Sequence, residues 1–365
     1  AAARWMHLPE MAVRPEIVAI CNRTLSAPKI DWFRENVPTL NQVTADYREL
    51  LANPDVEAVY IAVPHHLHEE FYLAALEADK HLMGEKPFGI DRKANQAILA
   101  AIERHPDLCV RCASQFVFFP AAQRIAEMIE TGAFGRIIEV NAGFLHCSDL
   151  NPDKPINWKR MLAFNGDYGC MGDLGPHVCA LPFRAGWVPR NVCAVLSNIV
   201  PSRPDGHGGT APCETWDNAT LLCEMEAQDS ADTFPFTLKA HRIAPGQRNN
   251  WYIEILGTAA SARYSLRDAN RLDVLEYRSG ADQSWRRIEM GQEVAFPSIT
   301  HELFQFGVSD AILQMWAAYL YEFDRGQPLT RFAACTRPEE TALWHKLFTA
   351  ALESHADRAT VPVPY

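Results

Sequence analysis

The chain has 365 residues, 48% hydrophobic and 22% charged. That mixture excludes a disordered chain, and the length suits two domains with real cores. The net charge is −11, from 34 Lys and Arg against 45 Asp and Glu. An acidic balance repels phosphate backbones, so no nucleic-acid partner is expected.

No run of about 18 apolar residues occurs, so neither a membrane span nor a membrane partner is expected. The most apolar window, Leu303 to Phe323, is interrupted by Gln305, Asp310, Gln314 and Glu322 and reads as a helix with one buried face. No basic-then-apolar leader opens the sequence. The ten cysteines are scattered. Cys109 and Cys112 form a C-x-x-C in a strand-like run, where residues three apart point to opposite faces. Reduced thiols in a cytoplasmic protein are the expectation.

In chain order, Ile17–Cys21 reads as a short strand, Tyr47–Leu51 as part of a helix, and Ala58–Val63 (AVYIAV) as a buried strand stopped by Pro64. An amphipathic helix over Glu69–Ala78 precedes a short strand at His81–Met83. A helix over Ala94–Ile102 and a strand over Leu108–Phe116 follow. This alternation predicts parallel βαβ units and a doubly wound, Rossmann-like sheet over residues 1–112. Beyond Pro120 comes one helix, Ala121–Glu130. Strands then follow with few helices between: Ile137–Phe144, Ala219–Ala227, Thr233–Arg242, Trp251–Leu256, Ala262–Leu266 and Leu272–Tyr277. Residues 113–365 are therefore expected to form an α+β domain with an open, mostly antiparallel sheet and C-terminal helices. Pro201–Thr210 reads as a loop.

A doubly wound nucleotide domain usually opens with a strand, G-x-G-x-x-G and a helix. Here the first glycine is Gly84, and the chain opens with Ala1-Ala2-Ala3-Arg4-Trp5, a helix-like stretch without Met. Two readings stand. Either the chain starts inside the first helix, with one strand and its loop absent, or the domain has lost dinucleotide binding.

Three segments carry the chemistry: Val63-Pro64-His65-His66-Leu67-His68, Gly84-Glu85-Lys86-Pro87, and Gly172-Asp173-Leu174-Gly175-Pro176-His177. The first two follow ends of expected parallel strands, where open α/β sheets bind ligands. With Ala75-Leu76-Glu77-Ala78-Asp79-Lys80-His81-Leu82-Met83 before Gly84, and with Gly132-Ala133-Phe134-Gly135 and Asn157-Trp158-Lys159, the sequence resembles the Gfo/Idh/MocA group, named after glucose–fructose oxidoreductase and inositol dehydrogenase. The resemblance runs from about Ile17 to the C-terminal helix. It implies a nicotinamide-dependent oxidoreductase acting on a sugar or cyclitol hydroxyl.

That resemblance implies Lys86, Asp173 and His177 as catalytic residues. The residue types suit alcohol oxidation, with His177 as a base and Lys86 as a donor to the reacting oxygen. Asp173, four residues before His177, would orient the imidazole or bind a substrate hydroxyl. Plainer roles are a surface lysine, a structural histidine and a helix cap. Cofactor contacts implied are Asn22, Arg23, Pro64, His65, His68, Glu85 and Lys86, with Gln115, Trp158 and Lys159 as further candidates. His146, Asn157 and Tyr168 are candidate substrate contacts. The sequence departs from the family pattern at His65 (usually Asn), Lys159 (often Arg) and Ala180 (often Asp). The triplet His65, His66, His68 lacks a companion motif, so no metal is expected.

After the second strand of such a domain an acidic residue would hold the ribose of NAD. Asn22-Arg23 stands there instead, which leans towards NADP over NAD. An exposed sheet face predicts a homodimer or homotetramer. Alternatives to the sugar or polyol dehydrogenase are a non-catalytic dinucleotide-sensing regulator, an NAD-dependent glycoside hydrolase, and a fragment unable to hold a cofactor.

Overall fold

The computed structural model describes residues 13–227, 232–291, 294–296 and 304–364. The helix-like opening at Ala1–Trp5 and the start of the window at Leu303 lie outside these residues.

The first region is a set of short parallel strands: β1 (Ala19–Cys21), β2 (Gln42–Thr44), β3 (Ala58–Ile61), β4 (His81–Gly84) and β5 (Val110–Cys112). Between them run α1 (Pro28–Asn36), α2 (Tyr47–Leu51), α3 (His68–Glu77) and α4 (Arg92–Arg104). Their starts follow local chemistry. Pro28 opens α1, while the Asp46 and Asp91 carboxylates accept the backbone N–H groups of Arg48 and Ala94 to cap α2 and α4. Leu82, Met83, Val110 and Cys112 are buried between the helical layers. Each large apolar side chain buried in this way contributes about 1.5–3 kcal/mol before entropy is counted.

These strands make two sheets, β1-β2 and β3-β4-β5, each parallel. In the doubly wound order 3-2-1-4-5-6, the break falls between the second and fourth places, where the first strand would pair. The expected single sheet is therefore interrupted at that place among the described residues. Two elements were not anticipated: α1, whose PKIDWFREN has little apolar periodicity, and β2, only three residues long. The strand expected over Leu108–Phe116 ends at Cys112, and Phe116–Phe118 is a helical turn.

After α5 (Pro120–Glu130) comes β6 (Ile137–Leu145). Then α6 (Cys170–Arg184) leads into β7 (Trp187–Ser197), the short hairpin β8 (Ser202–Pro204) and β9 (Thr210–Pro212), and β10 (Asn218–Ala227). Next are β11 (Thr233–His241), β12 (Asn250–Gly257), β13 (Ala260–Ser265), β14 (Arg271–Glu276) and β15 (Arg286–Glu289). The helices α7 (Val308–Arg325) and α8 (Pro338–Asp357) and the two-residue strand β16 (Val361–Pro362) complete the order. Nine strands form one sheet in the order β15-β14-β13-β12-β6-β11-β10-β7-β16. All its pairings are antiparallel except β6 with β11.

One face of this sheet is covered by α6 and α8. All 15 residues of α6 are buried, although Gly172, Gly175, Pro176 and Pro182 all disfavour a helix. Tertiary packing overrides propensity here. A Cβ at Gly175 would stand 2.5 Å from the Phe348 ring, so glycine lets α6 approach α8. The last helices return to the first region: Arg111 pairs with Glu322 of α7, and the Cys112 and Thr336 backbones exchange hydrogen bonds. The strands of the two small sheets end at Cys112 and the large sheet begins at Ile137, while α7 and α8 pack back against the first region.

Candidate active site

Lys86 follows the end of β4, and Asp173 lies in the first turn of α6. The Lys86 Nζ donates to Asp173 Oδ1 at 2.7 Å and to the Asp173 carbonyl at 2.8 Å. Lys159 reaches the same carboxylate at 2.9 and 3.0 Å, and Arg242 Nη2, at the end of β11, reaches it at 3.2 Å. Three cations thus converge on one carboxylate. Burial alone would raise the Asp173 pKa, but Lys86, Arg242 and Lys159 hold it well below the ordinary range.

His177 stands one helical turn beyond Asp173, as the four-residue spacing requires once the segment is helical. Its ring sits 5.0 Å from Phe116 and 5.5 Å from Phe144, both edge-on. Burial, then the Lys86 charge, pushes its pKa well below the usual imidazole value against the pull of Asp173. The ring is therefore neutral near pH 7, the form that a general base must start from. Asp173 does not orient it by a hydrogen bond. That expectation is corrected, because the carboxylate is occupied by Lys86, Lys159 and Arg242.

Beside this cluster lies a cleft of about 240 Å³ lined by residues from His146 to Leu174 and by Arg242. His146, Asn157, Trp158 and Lys159, four of the anticipated contacts, line it. Arg242, Asp149 and Lys154 were missed. Charged residues near strand ends read as a solvated rim, and no sequence pattern marked these as facing inward.

The histidine triplet separates. His65 is buried, with Nδ1 3.2 Å from the Asn165 carbonyl and its ring edge-on to Trp158. His66 packs against Phe164. His68 is fully buried: its Nε2 donates to the Val63 carbonyl at 3.1 Å, and its Nδ1 accepts the Gly89 N–H at 3.4 Å. Both nitrogens are engaged by backbone, so His68 is a structural residue and not a cofactor contact. Tyr168 is corrected likewise. It is buried against α8, with its hydroxyl 2.8 Å from Thr349 Oγ1 and turned to that helix rather than lining the cleft. Pro64 precedes the turn carrying His65, and Glu85 accepts the Tyr60 hydroxyl at 2.7 Å. Gln115 begins the helical turn after β5. Asn22, half-buried, and Arg23, exposed, lie at the end of β1, where Asn22 donates to the Thr24 carbonyl at 2.7 Å.

The ends of β3 and β4 therefore present Pro64, His65, Glu85 and Lys86 together, next to His66 Nδ1 and Asn165 Oδ1, which are buried without partners. Orphaned polar atoms at strand ends fit the redox end of a dinucleotide site. No glycine precedes Gly84, so a Gly-rich pyrophosphate cradle is not among these residues. Among the described residues no cluster has the make-up of a metal site, and no helix is long and apolar enough to cross a membrane.

A parallel βαβ region whose strand-end lysine bonds an aspartate, one helical turn before a histidine, in a second, sheet-based region has the make-up of a two-domain dinucleotide oxidoreductase. Residues 1–111 match an oxidoreductase family with an NAD-binding Rossmann fold, and residues 122–263 match the GFO/IDH/MocA C-terminal domain. The chain belongs to that family. It is 28% identical to levoglucosan dehydrogenase of Pseudarthrobacter phenanthrenivorans over 292 residues, 76% of this chain and 71% of that protein. A dTDP-3,4-didehydro-2,6-dideoxy-alpha-D-glucose 3-reductase of Actinomadura kijaniata is 32% identical over 180 residues, 49% of this chain and 50% of that one. An oxidoreductase domain protein of Kribbella flavida superposes with a TM-score of 0.87 at 22% identity, covering 100% of this chain and 94% of that chain. Levoglucosan dehydrogenase in complex with NADH and L-sorbose superposes at 0.85 with 24% identity, covering 97% and 91%. These structures share the fold.

Proposed function

We propose that the protein transfers a hydride between a nicotinamide dinucleotide and a hydroxyl-bearing carbon of a sugar or cyclitol. The observation that carries this reading is Lys86 bonded to Asp173, with a neutral His177 one turn further on. The dinucleotide, when bound, accepts or supplies the hydride. Lys86 Nζ donates a hydrogen bond to the alcohol oxygen and steadies the negative charge that develops there. His177 takes the hydroxyl proton on a ring nitrogen as the C–H electron pair leaves and the C=O bond forms. Asp173 holds the Lys86 and Lys159 ammonium groups in place. In the reverse direction His177 returns the proton.

The substrate class is supported by relatives named for levoglucosan and for a deoxysugar reductase. NAD(H) is supported by solved relatives in complex with NADH and by an inositol dehydrogenase homolog of Azotobacter vinelandii complexed with NAD+. The exposed Arg23 keeps NADP in the comparison, since it offers a cation to a 2′-phosphate. A panel of sugars and inositols with NAD and NADP, followed at 340 nm, tests the reading. Reduction of either cofactor with one of them supports it. Dinucleotide binding without turnover on any of them would favour a sensing regulator.

The same reading extends to assembly. Val195 and Leu222 are more than half exposed on the uncovered face of the large sheet, beside exposed Cys193. A homodimer or homotetramer formed through this face would cover them. Light scattering should return a multiple of the chain mass, and Leu222→Lys should lower it.

A further inference from the structure

The cleft beside the catalytic cluster has a charge that the hydride reaction does not require. Lys154, Lys159 and Arg242 line it, with Asp149 and Asp173 as its carboxylates, and Lys86 adds a fourth cation on Asp173. Both carboxylates are held in the charged form by these neighbours against burial. Arg160 also approaches Asp149, at 3.8 Å, but it is neutralised by its pair with Asp217. Four cations therefore share two carboxylates. Lys154 and Lys159 keep part of their side chains in solvent, whereas Lys86 and Arg242 are largely buried, where positive charge in excess is costly unless an anion joins it.

Two cations have donors to spare. The Arg242 Nε is buried without a partner in a side chain only 3% exposed, while the Lys159 side chain is 39% exposed. His146 Nε2 is a further buried atom without a partner in the lining. All the lining residues belong to the second region. The pyrophosphate of a doubly wound domain sits instead at the first strand–helix turn, so the cofactor's own phosphates do not account for this charge. The volume, about 240 Å³, is below that of pockets for drug-sized ligands. A planar guanidinium beside flexible ammonium groups matches a carboxylate or a phosphate, and the flat carboxylate is the smaller of the two in a cleft of this size.

We infer that this cleft is a subsite for the carboxylate of a sugar acid, so that the reacting hydroxyl belongs to an aldonate or uronate and not to a neutral sugar. This deepens the proposed function and rests on it for the reaction, though not for the binding.

Calorimetric titration of the full chain at low salt, with and without NADH, tests the subsite. The probes are D-glucuronate, D-glucose and glucose 6-phosphate. Glucuronate should bind at least about tenfold more tightly than glucose, as expected for one charge-assisted contact, and more tightly than glucose 6-phosphate. Lys159→Met should erase this advantage and Lys159→Arg should keep most of it. Lys154→Met, outside the reacting group, should weaken glucuronate several-fold more than it weakens glucose. Equal affinities for glucuronate and glucose, no detectable binding of glucuronate, an advantage that survives Lys159→Met, or a preference for glucose 6-phosphate would each overturn it. Selective glucuronate binding in a protein that turns over no substrate would remove the dehydrogenase reading alone. Turnover of neutral sugars without carboxylate selectivity would remove the subsite alone.

Discussion

The turn after β3 and the first half of α6 carry histidines that look equivalent as letters and are opposite as chemistry. In the turn, His68 has both ring nitrogens bonded to backbone and stacks on Tyr72 at 5.0 Å. In α6, His177 leaves its backbone carbonyl to the Trp251 indole, while its ring packs edge-on against Phe116 and Phe144 in the fields of Lys86 and Asp173. Burial drives both imidazoles to the neutral form. A ring already bonded on both sides is part of the frame, and a ring without such bonds is available to a proton. Hydrogen bonding at the ring, and not the depth of burial, separates the structural histidine from the proposed base.

The largest test of this contrast is Lys86→Ala. Turnover should fall by about 10²–10⁴-fold, the usual share of a positioned proton-transfer or donor group, with the melting curve little changed. Rates at the wild-type level would take Lys86 out of the mechanism. The paired substitutions His177→Asn and His68→Asn come next. The first should cost about 10²-fold or more in kcat at nearly unchanged stability. The second should lower stability by about 1–3 kcal/mol through lost buried hydrogen bonds, with kcat per folded molecule retained. If His68→Asn proves the more damaging to kcat, the two roles are reversed.

A pH series sharpens the same division. His68 is lowered to about 3 and His345 to about 4, each by burial first. The unfolded chain binds protons at these sites below about pH 6.5, while the folded chain resists them. Their contribution is fully present above that pH and is lost as the pH falls towards 4. Thermal melts should therefore drop steeply between pH 6.5 and 4, and less steeply in His345→Gln. An unchanged slope would remove His345 from the account. In the same range the oxidation rate should hold below the pH at which a free imidazole titrates, because His177 stays neutral there. The smallest effect expected is at the exposed edge. Arg23→Ala should weaken NADP by about tenfold or less, one charge-assisted contact, and NAD hardly at all. Equal losses would sink the lean towards NADP.

Much of this was legible in the sequence, for identifiable reasons. AVYIAV before Pro64 marked β3, and Glu85-Lys86-Pro87 after a third short strand placed the lysine at a sheet's ligand-binding edge. Asp173 and His177 were linked by a spacing that works on a helix. The helix itself was hidden, because its two prolines and two glycines argue against one until α8 and the large sheet enclose it. β7 was hidden by Pro189 near its start, where the register against β10 slips. The roles of Arg242 and Asp149 depend on contacts between residues far apart in the chain, which no local pattern records.

The ring of His345 carries a further consequence. Its Nε2 lies 2.8 Å from the carbonyl of Pro87, the residue after Lys86, across 258 positions of chain. The backbone that aims the reactive ammonium is thus tethered to the final long helix, none of whose residues lines the cleft. A survey of variants scored only by proximity to the cleft would pass over this histidine, yet its loss should register as kinetic drift in an enzyme whose visible pocket is unaltered.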